Sequence, residues 1–376
     1  MCEKQPHIRR RVRLEVDLAE LKSNLTKVQA AVAPSQVMGV MKADAYGLGA
    51  RPIAETLVAG GVSRLGVAEL NEALEVSDLG VPVQILGGLL PEEVGEAVDG
   101  DIVLPITDLS IAQRISDASV RSGKTTRCHV LVDTGMGRLG ILLQEAESVI
   151  KKVARLPGIV LEGIYTHFPV AYQGGDAYTQ RQIDTFLALL TALSEQGITF
   201  ALIHCANSDA VNNVPQSRHT PFNLVRTGLN LYGAFDLEGK RILDMKSVLT
   251  LKTKLTAVRM LPAGMSIGYG CTYTCEHDML VGTISAGYAD GLPLALSNRG
   301  YVLLRGVPCP VIGRISMDYT TIDMRQVPAA EVGEDVICLG GEGAEAVSVE
   351  QWAQLKGTHS YDIVCSFGRR VQRCYV

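Results

Sequence analysis

The sequence predicts an α/β fold in which a (β/α)8 TIM barrel is followed by a C-terminal all-β domain. From residue 36 to about residue 235, short apolar runs alternate with longer amphipathic stretches, which is the spacing of repeated βα units. Near residue 240 the helical stretches end, and short alternating runs separated by glycine and proline follow. A chain of 376 residues is long enough for both domains.

The barrel prediction depends on eight short apolar runs, most of which precede a helix-like segment. The predicted strands are 37–41, 64–68, 83–86, 101–105, 128–132, 161–165, 202–205 and 224–226. The predicted helices between them include 51–59, 111–122, 145–156 and 178–195. Eight parallel strands closed by eight helices form such a barrel.

The all-β domain is expected to span residues 241–376. Its predicted strands are 245–260, 280–285, 301–304, 307–312, 320–324 and 336–339. Residues 13–16 could add one more strand to this domain, with 18–32 as a helix that crosses back to the barrel. The predicted division is therefore an N-terminal leader at 1–12, a barrel domain at 13–240 and the β domain.

The charge balance argues against nucleic acid as a partner. The formal net charge is -5, whereas binding to phosphates needs clustered Lys and Arg. The basic cluster at residues 9–11 with Arg13 is interpreted as a charged leader, with a nucleic-acid or membrane patch as the alternative. No apolar run approaches the roughly 20 residues that span a bilayer, and the first residues lack the apolar stretch of a signal peptide. We therefore expect a cytoplasmic protein with no membrane partner.

The cysteines predict free thiols. Nine of them, an odd number, are scattered through a long chain, which fits a reducing compartment. Cys271, Cys275 and His277 are the nearest approach to a metal-binding pattern. A zinc site usually needs a second ligand pair at a matching spacing, and the sequence contains none, so no metal is predicted.

Reactive residues follow several predicted barrel strands, and TIM barrels carry their active sites at these C-terminal strand ends. The first strand ends at Lys42, where desolvation would lower the lysine pKa and favour a Schiff base, unless the side chain extends out to solvent. His167 and His204 follow two further strands, although either one alone is more often a core histidine. Their shared position favours an active site.

Three features together fit pyridoxal 5'-phosphate as a cofactor. They are the lysine, an anion site formed by small residues and amides near Ser208 and Gly228–Leu229, and Arg226 near the end of an adjacent strand. Phosphate sites of barrels often lie after the seventh and eighth strands, where amides favour negative charge. Without the lysine, the same loops could hold any phosphorylated ligand.

Six segments carry a closer resemblance. They are residues 40–47 (VMKADAYG), 133–140 (DTGMGRLG), 226–228 with 231–233 (RTG and LYG), 266–270 (SIGYG), 287–291 (GYADG) and 313–318 (GRISMD). They resemble, in turn, the cofactor-lysine motif, the arginine loop, the pyridine-facing segment, the loop of the second catalytic base and two signatures that close the site. Over essentially its whole length, the sequence resembles the alanine racemases of the fold-type III pyridoxal phosphate family.

The resemblance implies an isomerase that interconverts L-alanine and D-alanine through a pyridoxal phosphate external aldimine, supplying D-alanine for peptidoglycan. Two bases are implied: Lys42 for the α-proton of the D-enantiomer and Tyr269 for that of the L-enantiomer. A phenol is a weak base near neutral pH, so His167 is implied as the group that holds or accepts the proton of Tyr269. Tyr269 would come from the neighbouring subunit of a homodimer, so that both chains build each site.

The resemblance also assigns cofactor and substrate contacts. The implied phosphate contacts are Tyr46, Ser208, Gly228 and Leu229. Arg226 would face the pyridine nitrogen, where it can only donate and would leave a weaker electron sink, although a structural salt bridge is the alternative. Arg138 would hold the cofactor's phenolic oxygen and the substrate carboxylate, and the backbone amide of Met317 would contact the same carboxylate.

Two positions depart from the family pattern. Leu131 stands where many relatives carry a carbamylated lysine, so Arg138 must be braced otherwise, by an anion or a polar neighbour. Arg369 stands where some relatives have a tyrosine that lines the pocket, which leaves room for a serine or broad-specificity racemase. A non-catalytic pyridoxal phosphate-binding protein is less favoured, because such proteins resemble the barrel alone.

Overall fold

The computed structural model describes residues 10–376, which divide into two compact units. The barrel unit comprises residues 22–231 and 238–245, and the sheet unit comprises residues 10–21, 232–237 and 246–376. Most of the predicted leader, residues 1–9, lies outside the described residues. The described chain starts with β1 (Arg13–Val16) and α1 (Leu18–Val32), at the positions predicted for them.

Within the described residues, eight parallel strands build the barrel. They and one short extra strand are β2 (Gln36–Val40), β3 (Arg64–Val67), β4 (Val83–Ile85), β5 (Leu104–Ile106), β6 (Thr126–Asp133), β7 (Ile141–Leu142), β8 (Ile159–Tyr165), β9 (Leu202–His204) and β10 (Leu224–Thr227), of which β7 only pairs with β6. Their order is β10-β2-β3-β4 and β5-β6-β8-β9. A parallel bridge from Gln84 to Val103 joins β4 to β5, and Asn223 N donates to Ile203 O (3.0 Å) between β9 and β10. The predicted barrel is confirmed.

The helical segments of the barrel unit include eight within residues 42–213, and side-chain caps mark the starts of several of them. They are α2 (Lys42–Gly47), α3 (Ala50–Ala59), α4 (Leu70–Val76), α5 (Val94–Asp99), α6 (Leu109–Arg121), α7 (Leu143–Val153), α8 (Ala177–Ser194) and α9 (Ser208–Asn213). Asp108 caps α6 by accepting from Ile111 N (2.9 Å), which satisfies an amide that the helix leaves unpaired. The predicted helix 145–156 ends earlier, at Val153. Pro157 has no amide hydrogen with which to continue the helical bonding to the Val153 carbonyl.

The sheet unit is built around β11 (Leu249–Leu261), which buries alternate residues along its first half. The other strands are β12 (Ser266–Ile267), β13 (Tyr273–Thr274), β14 (Met279–Ile284), β15 (Tyr301–Leu304), β16 (Val307–Pro310), β17 (Thr320–Asp323), β18 (Asp335–Leu339) and β19 (Gln372–Tyr375). The main order is β16-β15-β18-β11-β1-β19, and β14 pairs with β11 and β17. The N-terminal strand β1 is therefore part of this sheet.

The predicted sheet domain is confirmed, but it also contains two helices that were not predicted, α10 (Val349–Lys356) and α11 (Ser360–Val364). The sequence does carry a signal for α10. Ser348 and Gln351 form a reciprocal capping box, and Gly357 ends the helix at a φ of 71°. No helix in residues 10–376 combines the length and apolar character needed to cross a bilayer.

Candidate active site

The predicted catalytic and cofactor residues of the barrel unit lie at one end of the barrel. Lys42 lies two residues after the end of β2, Arg138 and His167 follow β6 and β8, and Ser208 follows β9, while Arg226 lies within β10. Because the strands are parallel, their C-terminal ends share one face of the barrel. The strand-end pattern in the sequence therefore corresponds to a spatial cluster.

A left-handed turn follows Lys42. Ala43, Asp44, Ala45 and Tyr46 have φ angles of 56°, 55°, 52° and 60°. Such backbone costs roughly 1–2 kcal/mol per residue for L-amino acids and is rarely seen in consecutive residues. Backbone strain of this kind is typical of functional sites, where surrounding contacts hold it in place. The sequence predicted that the strand ends at Lys42, but not that a left-handed turn follows it.

A compact polar cradle forms around Gly228. The Ser208 hydroxyl accepts from Gly228 N (3.1 Å), and a Cβ at Gly228 would collide with the Tyr46 hydroxyl. Tyr46 and Ser208 are both buried. Asn230 and Asn212, which the sequence analysis missed, donate to Ser208 O (2.9 and 3.0 Å) and fix the loop. Two buried hydroxyls beside Gly228, which has no side chain to block the approach, are donors that suit a phosphate.

Arg226 is a buried hub of hydrogen bonds. Its guanidinium lies 2.8 Å from His204 Nδ1 and 3.2 Å from His167 Nδ1, and it donates to Thr166 O (2.9 Å) and Cys205 O (3.1 Å). Burial lowers the pKa of Arg226 to about 10, so the group stays protonated at neutral pH. Because arginine can only donate, both Nδ1 atoms are acceptors and both rings carry their proton on Nε2.

The hydrogen bonds continue from Arg226 across the barrel interior. His204 Nε2 lies 2.9 Å from His129 Nδ1, and His129 Nε2 lies 2.9 Å from Glu162 Oε2. With the His204 proton on Nε2, His129 Nδ1 accepts and the His129 proton lies on Nε2, directed at Glu162. Arg64 Nη1 also lies 3.1 Å from this His129 Nε2, and it donates to Glu162 Oε2 (3.0 Å). The hydrogen bond from His129, aided by Arg64, lowers the pKa of Glu162 to about 2, so the chain ends on a carboxylate.

This polar chain fixes the orientation of Arg226. His204 has the burial and contacts of a core histidine, the alternative given for it above: its ring is fully buried and bonded at both nitrogens. His129, Glu162 and Arg64 were missed by the sequence analysis. The sequence signal that could have indicated them is a polar residue within a mainly apolar strand, which occurs in β3, β6 and β8. Gly163 makes room for the His129 ring, because a Cβ there would collide with it.

His167 is neutral at physiological pH. Burial, followed by the charges of Arg226, Arg138 and Lys42, lowers its pKa to about 3. These electrostatic effects also indicate that the two arginines and the lysine lie near the ring. With Nδ1 accepting from Arg226, its Nε2–H is a donor. The ring is therefore better suited to donate to a phenolate than to take a proton from a phenol.

The three histidines predict a loss of stability in acid. Burial lowers the pKa of His129, His167 and His204 in the folded chain. Below about pH 6.5 the unfolded chain therefore binds more protons than the folded chain, and stability falls by roughly 1 kcal/mol per pH unit per histidine. The thermal unfolding midpoint, measured at fixed protein concentration, is expected to be lower at pH 5.5 than at pH 7.5. The exposed His359 provides a control, because the His359→Gln variant should show the same difference in midpoint between the two pH values. Equal midpoints of the wild type at pH 5.5 and pH 7.5 would contradict the prediction.

The arginine loop is ordered by its own aspartate. The Asp133 carboxylate accepts from the amides of Gly135 (2.9 Å), Met136 (2.8 Å) and Gly137 (2.9 Å). Arg138, in the same loop, is exposed. Leu131 is buried and packs close to Gly140, where a Cβ would lie 2.8 Å from the leucine Cγ. The position at which the family resemblance implies a lysine is thus occupied by a leucine that packs against Gly140.

The predicted residues of the sheet unit are exposed in the single chain. Tyr269 opens a short 3-10 turn (Tyr269–Cys271) between β12 and β13 and is 72% exposed. Gly268 and Gly270, on either side of it, have φ angles of 72° and 75°, which favour glycine. Met317 is 52% exposed, and its carbonyl accepts from Ala289 N (3.2 Å). The phenol of Tyr269 and the residue Met317 are therefore exposed at the surface of this unit.

Comparison with known proteins gives consistent matches along the chain. The family of alanine racemase N-terminal domains matches residues 16–236, and that of alanine racemase C-terminal domains matches residues 248–375. An alanine racemase of Syntrophobacter fumaroxidans is 39% identical over 360 residues, covering 95% of each chain. The structure of alanine racemase from Clostridium difficile 630 superposes with a TM-score of 0.91 at 31% identity, covering 98% of this chain and 97% of the other. An alanine racemase from Bartonella henselae with covalently bound pyridoxal phosphate superposes with a TM-score of 0.86 at 26% identity, covering 97% and 99%.

Proposed function

The chain belongs to the alanine racemase family, and from this we propose that it is a pyridoxal phosphate-dependent isomerase that interconverts L-alanine and D-alanine. The known role of this family is to supply D-alanine for peptidoglycan. The observation that carries the proposal is the cluster at the barrel's C-terminal end, where a strand-end lysine, a phosphate cradle and a buried arginine occur together. The non-catalytic alternative fits less well, because the matches extend over both domains.

We propose that Lys42 holds the cofactor covalently and that Tyr46, Ser208, Gly228 and Leu229 hold its phosphate. The support is the cradle described above, in which two buried hydroxyls meet the glycine backbone. When bound, pyridoxal phosphate withdraws electrons from the substrate's α-carbon and so makes its proton easier to remove.

Arg226 is proposed to donate to the pyridine nitrogen of the cofactor. A buried arginine whose pKa is still about 10 does not give up its proton to a pyridine, so the ring nitrogen stays largely unprotonated. This limits how far negative charge spreads from the α-carbon, which favours rapid return of a proton over decarboxylation or transamination. His204, His129 and Glu162 hold the guanidinium in place by the hydrogen bonds already described.

Inversion needs a proton carrier on each face of the α-carbon, and we propose Lys42 Nζ and Tyr269 Oη for these roles. His167 would donate from Nε2 to the tyrosine oxygen and so stabilise its deprotonated form. Arg138 and the amide of Met317 are proposed to bind the substrate carboxylate. Tyr269 is proposed to act in the site of a second subunit; its 72% exposure in the single chain supports a role in a homodimer.

The substrate range and the compartment are also proposals. Alanine is the proposed substrate, while serine or several small amino acids stay the alternative because of Arg369. The cytoplasm is the proposed compartment, since all eight cysteines within residues 10–376 are free thiols.

Purified protein loaded with pyridoxal phosphate should therefore racemise L-alanine faster than L-serine, measured from both enantiomers by chiral chromatography. Greater kcat/KM for serine would replace the alanine assignment by the alternative. No racemisation of any small amino acid, with the cofactor bound, would favour the non-catalytic alternative.

A further inference from the structure

The carboxylate of Glu72 connects the two loops that follow neighbouring barrel strands. Glu72 Oε1 accepts from Ala43 N (2.5 Å), the amide of the residue after Lys42. Glu72 Oε2 accepts from Ala68 N (2.8 Å), the amide of the residue after β3. Glu72 lies in the first turn of α4, so one helical side chain joins the C-terminal ends of β2 and β3.

The Ala43 amide belongs to the first residue of the left-handed turn. Backbone preference disfavours a turn of this handedness, so surrounding contacts must hold it. Backbone hydrogen bonds from Ala45 N to Met41 O (2.8 Å) and from Gly49 N to Asp44 O (3.0 Å) contribute. The Glu72 carboxylate adds a side-chain contact.

A carboxylate is a strong acceptor for backbone amides because the hydrogen bond is assisted by its charge. The carboxylate of Asp44, the second residue of the turn, accepts from Ala50 N (2.6 Å) at the start of α3. Two carboxylates therefore connect the turn to neighbouring helices, Glu72 to α4 and Asp44 to α3.

We propose that Glu72 is a positioning residue, which keeps the left-handed turn in the conformation that presents Lys42 to the cofactor and substrate. This inference rests on the proposed role of Lys42. Glu72 does not touch the reacting atoms; it acts through the Ala43 amide. If the turn relaxed, the backbone of Lys42 would move with it, and displacements of about 1 Å can cost about 100-fold in rate.

Glu72→Gln is the most informative variant. It keeps the size of the side chain and one acceptor oxygen, but it turns an NH2 group toward one of the two backbone amides, where two donors would face each other. Glu72→Asp, which keeps the charge but is shorter, is the second variant in case the first does not fold. Glu75→Gln is the matched control, because Glu75 is an exposed glutamate on the same helix.

Three measurements on the cofactor-loaded protein test the proposal. They are kcat and KM for alanine, the rate of cofactor loss in the presence of hydroxylamine, and the thermal unfolding midpoint. For Glu72→Gln we expect kcat to fall roughly 10- to 100-fold. KM should change less than kcat, cofactor loss should be several-fold faster, and the midpoint should shift only slightly. Glu75→Gln should match the wild type throughout.

The proposal is overturned if Glu72→Gln keeps the wild-type kcat and rate of cofactor loss. It is also overturned if a lower activity follows only from less folded protein, with an unchanged kcat per bound cofactor. Borohydride reduction and peptide mapping of the wild type distinguish a failure of the Glu72 proposal from a failure of the proposed function. If the cofactor is not fixed on Lys42, the role of Lys42 is wrong. If it is fixed there and Glu72→Gln is unaffected, only the role of Glu72 is wrong.

Discussion

The Lys42→Ala variant is expected to lack the visible absorbance of a lysine-bound cofactor and to racemise alanine roughly 1,000-fold or more slowly than the wild type. The change removes two functions at once: the amine that holds pyridoxal phosphate and the proposed proton carrier on one face of the substrate. Loss of a positioned acid or base alone typically costs 100- to 10,000-fold. The absorbance spectrum and the initial rates in both directions are the measurements.

The Lys42→Arg variant tests whether the positive charge of Lys42 is enough for activity without its two chemical functions. Arginine keeps the positive charge near His167 but stays protonated, so it neither forms the covalent linkage nor accepts a proton. It should therefore be as inactive as Lys42→Ala. Lys151→Ala is a control for lysine removal, because Lys151 lies on the outer helix α7 in an ion pair with Glu147. Wild-type activity of Lys42→Ala would defeat the assignment of the cofactor lysine.

Much of the fold could be predicted because its signals are local. Apolar runs of three to five residues and the segments between them located the barrel strands, and the strand at Arg13–Val16 was predicted from the sequence without knowledge of its pairing with β11. The misplaced strand boundaries also have local causes. The predicted strand 101–105 is displaced to Leu104–Ile106, since Asp101 has a φ of 55° and belongs to a turn. The boundaries proposed for the domains stay a prediction.

The site was less predictable because its geometry is not local. The strand-end rule and the family resemblance indicated Lys42, Ser208 and Arg226. Neither predicts four consecutive left-handed residues, because L-amino acids other than glycine adopt this backbone at most as single residues. The path from Arg226 to Glu162 crosses four strands, so no spacing in the sequence reports it. Buried histidine and glutamate within apolar strands would have indicated that such a path exists, though not its partners.

The Tyr269→Phe variant, which removes only the hydroxyl, is expected to bind the cofactor normally and to lose racemisation about 100- to 10,000-fold. The value of kcat/KM should fall by the same factor in both directions. The two enantiomers have the same free energy, so their equilibrium constant is one and fixes the ratio of the two kcat/KM values. Exchange of the α-proton of D-alanine with deuterium should persist, since Lys42 alone can remove and return a proton on its own face. Tyr273→Phe, in the adjacent β13, is the control and should be fully active.

A mixture of Lys42→Ala and Tyr269→Phe chains tests whether the site is shared between subunits. If each site takes its lysine from one chain and its tyrosine from the partner, a mixed dimer contains one site with neither group and one intact site. Equimolar refolding makes half of the dimers mixed, so about a quarter of the sites, and about a quarter of the wild-type activity, should return. If both groups act within one chain, mixing restores nothing, because every site still lacks one of them. Racemase activity before and after mixing therefore distinguishes a shared site from one built by a single chain.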